Sequence, residues 1–448
     1  MASTYLTRTT GTPTLGTKCT VSFWWKNSEG KPSGGSDRVI FGTETTADCY
    51  IYLRNTGELG LYQASTGSFD FRTSRLMSDC SAWYHICFTF DSTLTTSADR
   101  IKIYINGVRE TAFNASTTMS QGATIRLNEA SKVINIGGGF NQNMNGLLSH
   151  INFIDGTAYD ASAFGSTDSD TGEWSINTSP SVTYGNNGFF ILKDGNSVTD
   201  QSPNTNNFTV GAGTLTKSED CPSNVFATWN SLDSYFTQAV FTNGNATVQT
   251  PNASEAYCTS TLGMSSGKYY MEVEIYDGSN RDNIGIVDSP ATANNGSNNL
   301  YQKPKGYSYR GGTSYAGVWN NDTKLSGTFS AYGGSAGDKV MIAVDLDNSK
   351  LYFGYNGTWQ NSGDPTSGST GTGAISITPA SDLSNGCYFF AVGDEVTSDD
   401  TTYRGNFGNG YFGSTQISSA GTNASGNGIF EYNVPTGYTA LSTKGLNL

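Results

Sequence analysis

Few residues in this chain could do chemistry. Glu272 and Glu274 stand two apart in KYYMEVEIYDG, so a strand would set both on one side, their Cα atoms roughly 6.5–7 Å apart. Paired-carboxylate glycosidases use separations near this one. The stretch departs from the Glu-x-Asp-x-x-Glu spacing of sandwich glycosidases, because Asp277 comes too soon and replaces the final Glu. A solvated sheet face accounts better for the pair. His85 and His150 are the only histidines, and neither has the Cys, Glu or Asp spacing of a zinc site or a triad. No Gly-x-Ser-x-Gly elbow and no Gly-x-x-x-x-Gly-Lys loop occurs. Gly137–Gly139 precede no helical pattern, which favours close backbone packing over a phosphate loop. The remaining candidate is aromatic. YQKPKGYSYRGGTSYAGVWNN (301–321) places Tyr307, Tyr309, Tyr315 and Trp319 beside Asn320 among Gly and Ser. Such rings can stack on a sugar whose hydroxyls meet Asn and backbone donors, and aromatics can equally be core, since each buries a large area.

The elements that would position these groups are strands. Of 448 residues 12% are aromatic and 14% charged, with 54 Gly against 11 Pro. A charged fraction well below the usual value of about 25%, with many Tyr, Phe, Gly, Ser, Thr and Asn, excludes disordered acidic tails and helical bundles and fits an all-β chain with many tight turns. TVSFWWKN (20–27) alternates Val21, Phe23 and Trp25 against Ser22, Trp24 and Lys26; WYHICFTFD (83–91) alternates Ile86, Phe88 and Phe90 against Cys87 and Thr89. RIKIYINGV (100–108) alternates three Ile and stops at Asn106-Gly107, a strong hairpin signal. The second half echoes this. Tyr269, Met271, Val273 and Ile275 share one parity, as do Val340, Ile342, Val344 and Leu346; Leu351, Phe353 and Tyr355 then lead to Asn356-Gly357. Each half thus has an apolar strand ending near an Asp (Asp91, Asp345), a turn, and a strand closed by Asn-Gly. A short helix fits only around 158–164.

At about 150 residues per domain the chain should hold two or three domains. We expect two tandem jelly-roll β-sandwiches over 1–205 and 236–410, a linker over 206–235, and over 411–448 an extended arm or closing strand that could pair with a neighbouring chain. Net charge is −13, from 25 Lys and Arg against 38 Asp and Glu, with no basic run; nucleic acid is not expected as a partner. The opening residues lack the apolar core of a secretory signal, and no apolar run could span a bilayer. Seven widely spread cysteines read as reduced thiols. Without a secretory route, the Asn-x-Ser/Thr triplets at Asn114, Asn252 and Asn423 imply no glycosylation.

Several motifs carry a family resemblance. WYHICFTFD, RIKIYINGV, INIGGGF (134–140) and GLLSHINFIDGTAYDASAFG (146–165) resemble a laminin-G-like, concanavalin A-type lectin module, in which His at the position of His85 is often structural. GKYYMEVEI (267–275), NIGIV (283–287), GYSYRGG (306–312), GDKVMIAVDLDNSKLYFGYNGTW (337–359) and CYFFAV (387–392) resemble a SPRY domain. That likeness implies partner binding through loops at one end of the sandwich, to which 301–321 would contribute. The join is similar to bacteriophage structural proteins in FIDGTAYDASAFG, TGEW (171–174), YGNNGFFILKDG (184–195) and DQSPNTNNF (200–208). This implies a non-enzymatic component of the virion surface, a capsid decoration, fibre tip or tail appendage, made in the bacterial cytoplasm. Its partners would be other virion proteins and host cell-surface polysaccharide, and its assembly a homotrimer. The lectin likeness also allows calcium at Asp155, Asp160, Asp168 and Asp170 through hard oxygen ligands, against ordinary Asx turns; no other cofactor is implied. The alternatives are a tail-associated polysaccharide-degrading enzyme and an intracellular SPRY-type protein-binding module.

Overall fold

The computed structural model describes residues 4–447 except 30, 33–34, 45–47, 65–66, 81, 140–141, 171, 194–196, 233–238, 251–255, 279–280, 293–297, 334–335 and 396–399. Asn252 lies outside the described residues, as do a few positions of the quoted motifs (Phe140, Thr171, Asp194, Gly195). The chain divides into two units, Met1–Lys217 and Ser218–Leu448.

In the first unit an eight-stranded antiparallel sheet runs from Phe113–Thr117 at one edge to Thr209–Ala212 at the other. It faces a six-stranded sheet in the order Phe189–Ile191, Gly146–Asp155, Lys18–Asn27, Trp83–Asp91, Ile101–Ile105, Val108–Arg109. Between them lie Val21, Phe23, Trp25, Ile86, Phe88, Phe90, Ile101, Ile103 and Ile105, the parity read from the alternation. In the second unit a sheet containing Thr402–Asn406, Lys268–Asp277, Asp338–Asp345, Lys350–Tyr355 and Thr358–Trp359, in that order, packs on a six-stranded one. That partner runs Ala256–Thr259, Phe389–Asp394, Asp282–Val287, Tyr307–Arg310, Gly317–Asn320, Thr323–Lys324. Met271, Val273, Ile275, Val340, Ile342, Val344, Leu351 and Phe353 share the core between the two.

The echo between the halves extends to geometry. Lys18 faces Asp91 across the strand pair at 2.9 Å, and Lys268 faces Asp345 at 3.0 Å. Asn106 and Asn356 both have positive φ (49° and 45°). In each turn the Asn N–H donates to the carbonyl of a residue (His85 or Lys339) whose own N–H donates to the Asn side chain. By these pairings His85 in the first unit corresponds to Lys339 in the second, Cys87 to Met341, Tyr104 to Gly354 and Ser22 to Glu272.

Three readings change. Residues 206–235 are not a free linker: Thr209–Ala212 pairs with Tyr5–Thr9, while Phe226 and Trp229 are buried in the second unit. The helix near 158–164 is a single 3-10 turn, Ala161–Ala163, capped by Asp160. Residues 411–448 fold back as a closing strand and strap rather than reaching out. Thr439–Ala440 pairs in parallel with Tyr269 and Tyr270, and Phe430, Val434, Tyr438 and Ala440 cover the outer face of Tyr270, Met341, Ala343 and Tyr352. The first unit has a matching cover, in which Ala161, Phe164 and Tyr184 pack on Cys87 and Ile154. All seven cysteines are free thiols, five of them buried.

Candidate functional site

The aromatic segment splits between the two sides of its sheet. Alternation along Tyr307–Arg310 sends Tyr307 and Tyr309 inward, where both are buried core. Tyr309 packs against Tyr332, Phe329 and Phe353, and burial holds its phenol well above the ordinary range. Neither can be a rim residue. Ser308 and Arg310 take the other side. The Arg310 guanidinium lies 3.8 Å from the Tyr301 ring centroid, 4.5 Å from that of Tyr315 and 4.6 Å from that of Trp319. It is paired with Glu395, which Arg281 also approaches at 3.7 Å. Cation–π attraction strengthens when the cation is desolvated, and Arg310 is only 3% exposed. Its Nε–H is buried without an acceptor among the described residues. Trp319 donates its indole N–H to the Tyr315 carbonyl at 2.9 Å, fixing the two relative to each other. Tyr301, Tyr315 and Trp319 remain half-buried, each with part of its surface at the rim. The Asn320 amide bonds the carbonyls of Lys303, Pro304 and Gly306, which brackets the loop and leaves it no amide N–H for a ligand.

The alternation of GYSYRGG held a signal for Arg310, since inward Tyr307 and Tyr309 put Arg310 outward. Tyr301 and Glu395 needed the strand register, because Glu395 follows the strand Phe389–Asp394 and is far away in sequence.

The other candidates take structural positions. His85 is fully buried; it accepts the Trp174 indole N–H on Nδ1 at 3.0 Å and meets Ser22 Oγ through Nε2 at 2.9 Å. With Nδ1 an acceptor, neutral imidazole carries its proton on Nε2 and donates to Ser22. A serine nucleophile needs the reverse. His150 touches Ser149 Oγ at 2.7 Å, at a positive-φ position that interrupts its strand. Glu272 is not on a solvated sheet face. It is completely buried and accepts the N–H groups of Glu431 (2.9 Å) and Tyr432 (2.8 Å), the Tyr270 hydroxyl (2.9 Å) and the Asn406 amide (3.2 Å). Glu274 pairs with Arg404 and Lys339.

The four aspartates do not fit calcium. Asp155 is buried and accepts from Thr14 N, Leu15 N, Asn187 N and the Asn128 amide, so its lone pairs face donors rather than a cation. Asp160 caps Ser162, and Asp168 turns on the N–H of Asp170. Among the described residues no group of three carboxylate, His or Cys side chains could hold a metal.

The fold defined by these observations is a tandem of two all-β sandwiches. Within it, residues 2–160 match the family described as the concanavalin A-like lectin/glucanases superfamily. No curated protein matches the chain. Among solved structures it is similar to the SPRY domain of human HERC1, at 16% identity over 37% of this chain and 91% of that one, with a TM-score of 0.28. It is also similar to the heptameric SAP-like pentraxin of Limulus polyphemus, at 20% identity over 34% and 70%, TM-score 0.25. A third is domain 4 of AbnA, a GH43 arabinanase from Geobacillus stearothermophilus, at 21% identity over 32% and 64%, TM-score 0.25.

Proposed function

We propose that this chain is a non-enzymatic, glycan-binding display protein of a virion surface, with other virion proteins and host polysaccharide as its partners and a homotrimer as its assembled state. The observation that carries the binding role is the rim of Tyr301, Tyr315 and Trp319, held around the buried Arg310–Glu395 pair. Rings already locked in place lose little rotamer freedom when a sugar stacks on them. The lectin-type family match of the first unit supports the same reading. The virion setting rests on the likeness of the central motifs to phage structural proteins. Catalysis is disfavoured by the His85 tautomer and by the four donors that surround Glu272.

The test is a glycan array probed with the full chain, followed by the strongest ligand with Trp319→Ala and Tyr315→Ala. Specific binding weakened by these substitutions is the expected result. Absence of binding to any bacterial surface glycan contradicts the proposal.

A further inference from the structure

The internal echo exposes a difference between the units. In both, a strap aromatic lies over the glycine of the Asn-Gly turn. A Cβ on Gly107 would sit 2.3 Å from the Trp174 ring, and one on Gly357 2.9 Å from the Tyr432 ring. In the first unit the space beside this contact is filled. Tyr104 packs there, opposite Cys87, and Trp174 stacks on His85 with centroids 5.7 Å apart. In the second unit Gly354 stands where Tyr104 would be, opposite Met341. Beside that glycine is a cleft of about 350 Å³ lined by Met341, Gly357, Trp359, Glu431, Tyr432 and Asn433.

Both aromatic walls are anchored to one group. Trp359 rests edge-on against Tyr270 (centroids 6.3 Å, interplanar angle 68°), and Tyr270 donates to Glu272. The same carboxyl accepts the backbone N–H of Tyr432. The cleft is therefore pre-formed, and its volume lies at the small end of ligand pockets, which span about 300–1,000 Å³.

We propose that this cleft is a second carbohydrate site, separate from the rim, which takes a neutral sugar ring between Trp359 and Tyr432 with its hydroxyls on Glu431 and Asn433. The proposal rests on the glycan-binding reading but not on the rim residues. The Asn433 carbonyl already accepts the Thr422 N–H at 2.8 Å, so its exposed amide is the ligand-facing donor. Glu431 is the charged residue among those lining the cleft; it meets Lys339 at 3.4 Å, a cation it shares with Glu274 (3.6 Å), which Arg404 also holds. With net charge −13, that field opposes uronic and sialic acids and leaves neutral rings as the favoured class.

Affinity electrophoresis of the full chain in gels containing neutral glucan, mannan or galactan, or polygalacturonic acid, tests this. Wild-type protein should be retarded by at least one neutral polymer and not preferentially by the acidic one. Trp359→Ala and Tyr432→Ala should weaken retardation about tenfold or more, with near-native dichroism and melting, while Leu76→Ala, at an exposed position of the first unit away from both sites, leaves retardation by that polymer unchanged. Because both targets are half-exposed, Asn433→Ala at an exposed position supplies a third variant that leaves both aromatic walls in place and removes, besides the ligand-facing amide, only the hydrogen bond from Thr422 N–H. Wild-type retardation that survives all three cleft substitutions overturns the site, and loss in Trp319→Ala alone moves binding to the rim and leaves the general function standing. Preference for polygalacturonate overturns the ligand class. Retardation by none of the polymers overturns this site, and silence on the glycan array as well overturns the glycan-binding reading.

Discussion

His85 and Glu272 are buried beneath the straps of their respective units, and their protons respond to pH in opposite senses. Burial lowers the His85 imidazole from 6.5 to about 3. The folded state keeps it neutral while the unfolded chain takes up a proton below pH 6.5, so its contribution is complete above that pH. It is lost as pH falls toward 3, by on the order of 5 kcal/mol. Burial raises the Glu272 carboxyl to about 7, against the downward pull of the Tyr432 and Glu431 N–H groups, Tyr270 and Asn406. Its contribution is fully present below pH 4.5 and is lost as pH rises through 7, by on the order of 3 kcal/mol. Urea titrations of the second unit between pH 5 and 8 should show this decline, and Glu272→Gln should flatten it. An unchanged slope in the variant would place the titrating group elsewhere. Trp174→Phe leaves His85 Nδ1 buried without its donor and should cost the first unit roughly 1–3 kcal/mol in denaturant midpoints.

The Asn-Gly turns and the straps over them are coupled elements. Gly107 has φ of 76° and the Trp174 ring where a Cβ would go; Gly357 has φ of 83° and the half-exposed Tyr432. Gly107→Ala should therefore destabilise its unit by roughly 1–3 kcal/mol, and by more than Gly357→Ala does in the other, because its Cβ would come closer to the ring above it, 2.3 Å against 2.9 Å, and Trp174 is tied to His85. Equal losses in chemical denaturation would contradict this coupling. The turns were legible in the sequence, since Asn-Gly after alternating apolar residues has one common structural meaning. The straps were not. Their Gly-, Ser- and Asn-rich segments show no periodicity, so Ser22 and Glu272 read as solvent-facing by parity although each is buried beneath a cover. Period two reports which side of a strand a residue takes, and a second layer can bury either side.

At the scale of the whole chain, two separate cores predict two unfolding transitions, with Trp174→Phe moving one and Glu272→Gln the other. A single transition shifted equally by both would contradict that division. The sandwich class and the aromatic stretch were readable because they depend on local alternation and composition. The Arg310–Glu395 pair and the Trp359–Tyr432 cleft join residues far apart in sequence, so they emerge only from register. The central claim, binding of polysaccharide without cleavage, is tested most directly by size-exclusion chromatography of host capsular polymer incubated with the purified chain. Co-elution of protein with polymer of unchanged size is predicted. Conversion of the polymer to oligosaccharides, or protein and polymer eluting independently, would contradict it.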